Sequence, residues 1–354
     1  MTQFIAFPKI KQFKDVVHNV RHKARFQGLN EETGEPIYDH LAALPKLGFR
    51  GTVKLHGTNA AVVLHPNGEI VAQSRKRVCT IENDNAGFAV FVHGRIEKFE
   101  RLFAEVFLSL ERKGDKVGDN PVAIYGEWCG SNIQGGVGLA ELPSKRFVVF
   151  AVRIGAEEDT RWVNMEDFDR LPSDPDAEIY NILEFPVWDK IVDFDQPALA
   201  RNDMVDITLA VEEECPVARA FGVEKGTGEG VVWQCVEPGF EDSGFWFKVK
   251  GEKHSVSKVK TLAPVDPEKM KNAQEFVDST VTENRLVQGI QTLQEMGAEL
   301  SMRSTGVFLK WVFEDIMSEE KDTLTASSLD AKTVSKPISE KARKWFFKYL
   351  EENL

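Results

Sequence analysis

Between residues 48 and 260 apolar positions recur in short runs with the two-residue period of strands. "NAAVVLH" (59–65) and "EIVAQSR" (69–75) flank "PNG", whose Asn-Gly pair predicts a hairpin. "PVAIYGEW" (121–128), "RFVVFAVRI" (146–154), "EGVVWQCV" (229–236) and "FWFKVKG" (245–251) predict further strands rich in Val, Phe and Trp. Between them Ile96, Phe99, Leu102, Phe103, Val106, Phe107 and Leu110 fall on one helical stripe, and a second helix is expected near 196–214. This alternation predicts an α+β domain built on antiparallel sheets with flanking helices.

After "TLAPVDP" (261–267), where two prolines lie close together, the period becomes helical. "EKMKNAQEFVDSTVTENRLVQGIQTLQEMG", "TGVFLKWVFEDIMSEE" and "SEKARKWFFKYLEENL" carry it to the end. The expected organisation is residues 1–261 as the α+β domain and 262–354 as a small all-helical one.

Composition narrows the picture only a little. The chain has 354 residues, enough for two domains, with the hydrophobic (42%) and charged (28%) fractions of a globular protein. No stretch approaches the ~20 apolar residues of a membrane span, and the first residues lack the apolar core of a secretory signal. Cys79, Cys129, Cys215 and Cys235 lie far apart without a CxxC pair, so they read as free thiols in the cytoplasm. A net charge of −12 argues weakly against a nucleic-acid partner. Yet the basic residues gather in "KIKQFKDVVHNVRHKAR" (9–25), "SRKR" (74–77) and "KVKGEKHSVSKVK" (248–260). Each group also fits a solvated face; together they allow a basic surface on an acidic protein.

The candidate chemistry begins at "KLHG" (54–57), a polar interruption in a β-like run. Alone it also fits a surface turn with one exposed lysine. Later polar residues in or beside apolar runs change the reading, because each needs a reason to be there: Glu127 in "YGEW", Glu229 in "EGVV", Lys248 and Lys250 in "FKVK". A lysine with its ordinary pKa of about 10.4 is protonated and cannot attack. Cations such as Lys248 and Lys250 near Lys54 would disfavour that charge, and they could also hold a triphosphate. A Mg²⁺ ion would neutralise the departing pyrophosphate. Glu127 and Glu229 could hold a ribose hydroxyl or the metal, and Phe150 offers a flat face to a base.

The ordered set KLHG, SR, YGEW, FVVF, EGVV and KVK resembles the covalent nucleotidyltransferases, the polynucleotide ligases and capping enzymes. Histidine at position 56, where most of that superfamily carries aspartate, together with Thr58 and Asn59, looks like the RNA ligase 2 family of phage nick-sealing and RNA-editing ligases. "GSNIQGGV" (130–137) and "VTENRLVQGIQTLQEMG" (281–297) resemble the same family. The resemblance implies a nucleotidyltransferase (ATP-grasp-like ligase adenylation) fold followed by a helical RNA-engaging module. It implies that Lys54 is adenylylated by ATP, that His56 matters most in the later steps on RNA, and that Thr58 and Asn59 shape the site. Arg75 would contact the nucleotide or the RNA 5′-phosphate, Glu127 the ribose, and Phe150 the adenine. Glu229 would act with Mg²⁺ or Mn²⁺, and Lys248 and Lys250 would bind the α-phosphate. The implied partners are RNA with nicked or paired ends and ATP, with no membrane, for a monomer in the cytoplasm of a bacterium or a phage-infected cell.

Two positions depart from the pattern. Ala151 follows Phe150 where the family has Asp, and Gln234 stands where its fourth motif has Lys. They keep a catalytically inactive RNA- or nucleotide-binding relative among the alternatives, beside a DNA ligase or capping guanylyltransferase. Those last two would be expected to place a β-rich OB-fold after "FKVK". Arg285 and Asn284 fit a helix-surface role as well as an RNA contact.

Overall fold

A computed structural model describes residues 3–156, 160–168, 170–255 and 270–353. The chain forms two compact units, Met1–Gly251 and Glu252–Leu354. The expected boundary at 261/262 and the "TLAPVDP" linker lie outside the described residues.

The first unit opens with helix α1 (Phe13–Arg25) and the two-stranded sheet of β1 (Phe26–Leu29) and β2 (Pro36–Tyr38). Two larger sheets follow. One has the order β10-β3-β11-β12, all antiparallel: β10 (Val187–Asp193), β3 (Lys46–Lys54), β11 (Gly230–Cys235) and β12 (Phe247–Lys250). The other has the order β5-β4-β6-β7-β8: β5 (Ile70–Ser74), β4 (Thr58–Leu64), β6 (Val122–Gly130), β7 (Lys145–Ile154) and β8 (Arg161–Trp162). A short parallel strand, β9 (Ile179–Asn181), also pairs with β7. The "PNG" hairpin forms as expected, pairing Leu64 with Ile70.

Strand alternation sorts the four-stranded sheet into two chemically different faces. Phe49, Val53, Val231, Trp233, Phe247 and Val249 are buried on one face. There Phe247 packs 4.8 Å from Phe13 of α1, ring centre to ring centre. The other face carries Thr52 and Lys54 of β3 and Lys248 and Lys250 of β12. β4 and β6 are buried on almost every residue, as expected of strands covered on both sides. Helices α2 (Phe88–His93) and α3 (Ile96–Glu111) cover one side, where Phe88 and Phe99 lie against Phe147. Ile5, Phe7 and Ile10 of the N-terminal segment cover the other. The expected helix near 196–214 is α5 (Ala198–Glu213), after the single turn α4 (Met165–Phe168) and before α6 (Pro216–Ala220).

The second unit holds α7 (Ala273–Thr280), α8 (Glu283–Glu295), α9 (Thr305–Glu319), α10 (Lys321–Ala326) and α11 (Ala331–Asn353). Thr282 divides the first expected helical stretch in two, because its side chain accepts from the Arg285 N–H and caps α8. In α11, Val334, Ile338, Ala342, Phe346 and Leu350 are buried at four-residue spacing, the stripe a core-facing helix needs. Phe346 stacks on Phe308 of α9 at 4.4 Å. Sequence periodicity starts this helix at Ser339, whereas the structure carries it back through Pro337 to Ala331. The described fold is thus α+β, with antiparallel sheets and C-terminal helices. No helix among the described residues is long and apolar enough to cross a membrane.

Candidate active site

"KLHG" interrupts a strand because the chain changes sheets there. Lys54 is the last residue of β3 in the four-stranded sheet, and Thr58 is the first of β4 in the six-stranded one. The link between them, residues 55–57, passes hard against β6. A Cβ on Gly57 would run into the Trp128 carbonyl and the Cys129 side chain, so only glycine fits. The Gly57 N–H donates to Glu127 Oε1 at 2.9 Å, fixing the link to the second sheet.

Glu229 sits at the centre of the site and is buried. Its Oε2 accepts from Lys54 Nζ at 2.6 Å and lies 2.9 Å from His56 Nδ1, while its Oε1 is 2.8 Å from Lys250 Nζ. Strand register explains the gathering. Gly230 pairs with Lys54 on one side and with Lys250 on the other, so residue 229 enters between the two lysines. Gly230 has φ +148° and no room for a Cβ beside the Val249 carbonyl, which lets the chain turn into the strand at this point. Burial works to raise the Glu229 pKa; Lys250, Lys54 and His56 overcome it and hold the carboxyl well below the usual range.

The other expected residues line the neighbouring sheet. Thr58 is buried, and its Oγ1 accepts from Asn85 Nδ2 at 3.0 Å. Asn59 stands directly opposite Glu127 across β4 and β6. Arg75 follows β5, half-buried, and makes no hydrogen bond or ion pair among the described residues. Its neighbour Arg77 is committed to the carbonyls of Asn83 and Asp84. Phe150 occupies a β-bulge: Tyr125 pairs with Ala151 and Gly126 with Val149, leaving Phe150 as the extra residue. A bulge re-aims a side chain, and here Phe150 meets the edge of Phe7 at 5.3 Å. Lys248 alternates with Lys250 on the site face of β12, with its own N–H donated to the Lys11 carbonyl at 3.1 Å.

Both departures have local physical reasons. Ala151 is buried with Ile5, Ala61 and Tyr125, an apolar cluster where a carboxylate would need a partner. Gln234 lies directly opposite Arg50 in the β3–β11 register, so lysine there would set two cations face to face.

Sequence reasoning missed the N-terminal segment. Gln73 is wholly buried and clamps it, accepting from Ile5 N–H at 3.1 Å and donating to the Gln3 carbonyl at 3.3 Å. Tyr125 Oη donates to the Ile5 carbonyl at 2.9 Å, and Lys11 forms a parallel bridge with Phe247. Residues 3–12 therefore tie the six-stranded sheet to the edge of β12. The apolar alternation of Ile5 and Phe7 was the available signal, too short to read as a strand.

Arg285 is a correction, because it is not at the helix surface, whereas Asn284 is exposed on α8. Arg285 is fully buried, bonded to Asp315 at 3.0 Å and Glu319 at 3.2 Å, with Glu320 at 3.6 Å. The Asn284 amide donates to the carbonyls of Lys253 and Ser255. The four cysteines are free thiols and buried, and burial raises each thiol pKa, that of Cys235 to about 11.

No curated protein matches this chain. Among solved structures, a Naegleria gruberi RNA ligase mutant with ATP and Mn is 13% identical, with a TM-score of 0.42 over 72% of this chain and 58% of that one. The Naegleria gruberi RNA ligase with PPi is 12% identical, with a TM-score of 0.44 over the same shares. The chain therefore spans less than two thirds of the length of the structures it matches. The RNA ligase family model matches residues 49–250. That span is more than half of the chain, runs from β3 to the last residue of β12, and includes Lys54, Glu127, Glu229 and Lys250. The chain belongs to the RNA ligase family.

Proposed function

We propose that this protein is an ATP-dependent RNA ligase that joins a 3′-hydroxyl to a 5′-phosphate through a lysyl-AMP intermediate, at nicks in duplex RNA, in the manner of the RNA ligase 2 family. The observation that carries the reading is the Lys54–Glu229–Lys250 line across three strands. Two lysines and a histidine around one buried carboxylate leave a net positive cluster, complementary to a triphosphate. In the first step Lys54 Nζ, after giving one proton to water, attacks the α-phosphorus; the N–P bond forms, the bond to pyrophosphate oxygen breaks, and the nitrogen's second proton leaves to water or with the pyrophosphate. In the second, a 5′-phosphate oxygen of RNA takes the AMP and frees Lys54. In the third, the 3′-hydroxyl attacks that phosphate and AMP leaves.

Each side chain has a role in this scheme. An attacking amine needs a lone pair, and a Nζ that donates to a carboxylate presents N–H instead. Lys54 must leave Glu229 to react, and Lys250 and His56, which reach the same carboxylate, can hold it once Lys54 has left. A carboxylate held far below its ordinary pKa is a weak base. Glu229 therefore aims Lys54 and does not take its proton. Glu127 holds the ribose, Phe150 stacks on the adenine, and Arg75 meets a phosphate. Thr58 and Asn59 set the shape of the pocket, and His56 serves the steps on RNA.

Among the described residues no group of three or more His, Cys, Asp or Glu side chains is placed to hold a metal ion. Mg²⁺ needs no such cage, since it keeps waters and takes one or two carboxylates with substrate phosphates. Both Glu229 oxygens are held by Lys54, His56 and Lys250, so Glu229 would be a ligand beside phosphate oxygens only after Lys54 or Lys250 has left it. Bound there, Mg²⁺ or Mn²⁺ would neutralise charge on the departing pyrophosphate. The helical second unit engages RNA in this reading, and the buried, unpaired thiols suit a monomer in a reducing cytoplasm. The DNA ligase and capping alternatives are less well supported, because the described residues 270–353 hold helices and no strand.

Incubation with labelled ATP or GTP and Mg²⁺, followed by denaturation, tests the reading. Label is expected on the chain from ATP, none from GTP, and none after Lys54→Ala. A wild-type protein that takes no label from ATP across pH and metal ends the proposal; label from GTP returns it to capping.

A further inference from the structure

The basic N-terminal stretch is absorbed by none of these roles. α1 buries Phe13, Val16, Val17 and Val20. Lys14, His18, Arg21 and Arg25 follow at spacings of four, three and four, which places them on one stripe beside that buried face. The helix carries Lys14, Arg21, Lys23 and Arg25 against a single carboxylate, Asp15, which is spent in the capping box with the Gln12 N–H at 3.0 Å. Lys23 lies on the other flank, on the Gly239 carbonyl and over the Phe240 ring. Arg21 is exposed and makes no hydrogen bond or ion pair among the described residues, and Arg25 Nε has no hydrogen-bond partner there.

The stripe runs into aromatic rings. His22 stacks on Phe26 at 5.5 Å and meets Tyr38 at 5.3 Å, and Tyr38 pairs with Phe26 across the β1–β2 hairpin. Phe26 is 40% exposed, Ile37 47% and Leu29 61%. A two-stranded hairpin is marginal in water by itself, and this one leaves its apolar side chains open. At the other end, the segment leading into α1 is bonded through the Lys11 carbonyl to the N–H of Lys248. The segment before the stripe thus reaches the edge of β12, while α1 itself packs on the sheet face opposite Lys248 and Lys250; from that edge the stripe leads away for roughly 20 Å, at 1.5 Å per helical residue. Glu31, Glu32 and Glu35 in the hairpin loop close its far end.

We propose that α1 and the β1–β2 hairpin form a docking track, beyond the edge of β12, for a single-stranded RNA segment that flanks the duplex being joined, with phosphates on Arg21 and Arg25 and unpaired bases on Phe26 and Tyr38. Clustered cations interleaved with open aromatic rings suit single-stranded nucleic acid; a protein partner would have less use for a helix whose four Lys and Arg residues meet one carboxylate of their own, already bonded in its cap. The proposal rests on the ligase reading for its substrate, but its test is separate.

Fluorescence anisotropy with a labelled, 5′-phosphorylated single-stranded RNA is the measurement, paired with AMP labelling of the same proteins. Arg21→Glu/Arg25→Glu should weaken RNA binding tenfold or more at low salt. It should also flatten the slope of log K against log salt by about 0.7 for each phosphate no longer neutralised. Phe26→Ala/Tyr38→Ala should weaken binding about tenfold with the slope unchanged. Both should take AMP label as the wild type does. RNA affinity and slope unchanged in both variants, or no RNA binding by the wild type, overturns the track and leaves a protein partner as the occupant of the hairpin. Loss of AMP label in the wild type strikes the ligase reading alone, since RNA binding is read separately. If melting shows that the double charge reversal unfolds the protein, exposed Arg21→Glu alone carries the test, with a severalfold loss expected.

Discussion

Among the described residues two buried ion clusters are near mirror images in charge. In the first unit one carboxylate, Glu229, is ringed by Lys54, His56 and Lys250. In the second one guanidinium, Arg285, is ringed by Asp315, Glu319 and Glu320. They differ in who can reach them. The side chains around Glu229 keep 22%, 19% and 14% of their surface, whereas those around Arg285 keep 9%, 7% and 2%. A ligand can compete for the lysines; nothing can compete for the carboxylates without opening the helices. Burial of an ion pair alone is therefore no sign of a site. A buried charge whose partners stay reachable is the more informative pattern, and its sign here suits an anion.

The largest expected effect comes from the closed cluster. Arg285→Met removes the cation that three buried carboxylates share, and breaking a buried ionic network from one side costs about 3–5 kcal/mol. Urea unfolding should show that loss, while AMP labelling at low temperature persists, because Lys54, Glu229 and Lys250 all lie in the other unit. Replacing Asp315, Glu319 and Glu320 together with apolar residues in the same background should recover much of it. If Arg285→Met instead keeps full stability and loses label, the contrast between a structural and a reactive cluster collapses.

The open cluster should answer differently. Glu229→Gln removes the charge that holds Lys54; if the proposed ligase reading is right, losing one preorganised electrostatic partner should cost on the order of 10²-fold in rate, read as the rate of AMP labelling. Its effect on stability is smaller and has a defined pH window. The folded Glu229 pKa lies below its unfolded value of about 4.3. Ionised Glu229 therefore contributes stability above that unfolded value and loses it only as pH falls through the lower, folded one. The stability gap between wild type and Glu229→Gln should be flat from neutral pH to about pH 5 and close only in stronger acid. A gap that closes near neutrality would mean that Glu229 is not held by its cations.

The two clusters also divide what the sequence makes legible from what it hides. Lys248 and Lys250 could be placed on one face because strand alternation is local: two lysines spaced by two residues share a face wherever β12 is placed, whereas Lys54 was set beside them by the resemblance of the ordered motifs. Glu229 as the common partner of Lys54, His56 and Lys250 was beyond reach, since it follows from the pairing of Gly230 with strands that are far apart in sequence. The bulge that turns Phe150 and the clamp of Gln73 on residues 3–5 are hidden for the same reason, being properties of register and tertiary contact. Arg285 was misread because a charged residue on an amphipathic helix ordinarily faces water. Only the arrival of Asp315, Glu319 and Glu320 from elsewhere in the unit offsets the cost of its burial.

Gln234 gives the smallest and sharpest test. Lysine at this position restores the family pattern but faces Arg50, which is itself held by Asp189 at 2.8 Å. Like charges directly opposite across a strand pair cost roughly 0.2–1 kcal/mol, and a buried ammonium adds to that. Gln234→Lys should therefore lower the stability read from urea unfolding by about 1 kcal/mol. Adding Arg50→Thr should return part of it, as a coupling energy in a double-mutant cycle. If the charge repulsion explains glutamine, neither change will speed AMP labelling. If Gln234→Lys costs no stability and labels or seals faster, then glutamine marks a loss of catalytic power, and the reason lies at the phosphates and not at Arg50.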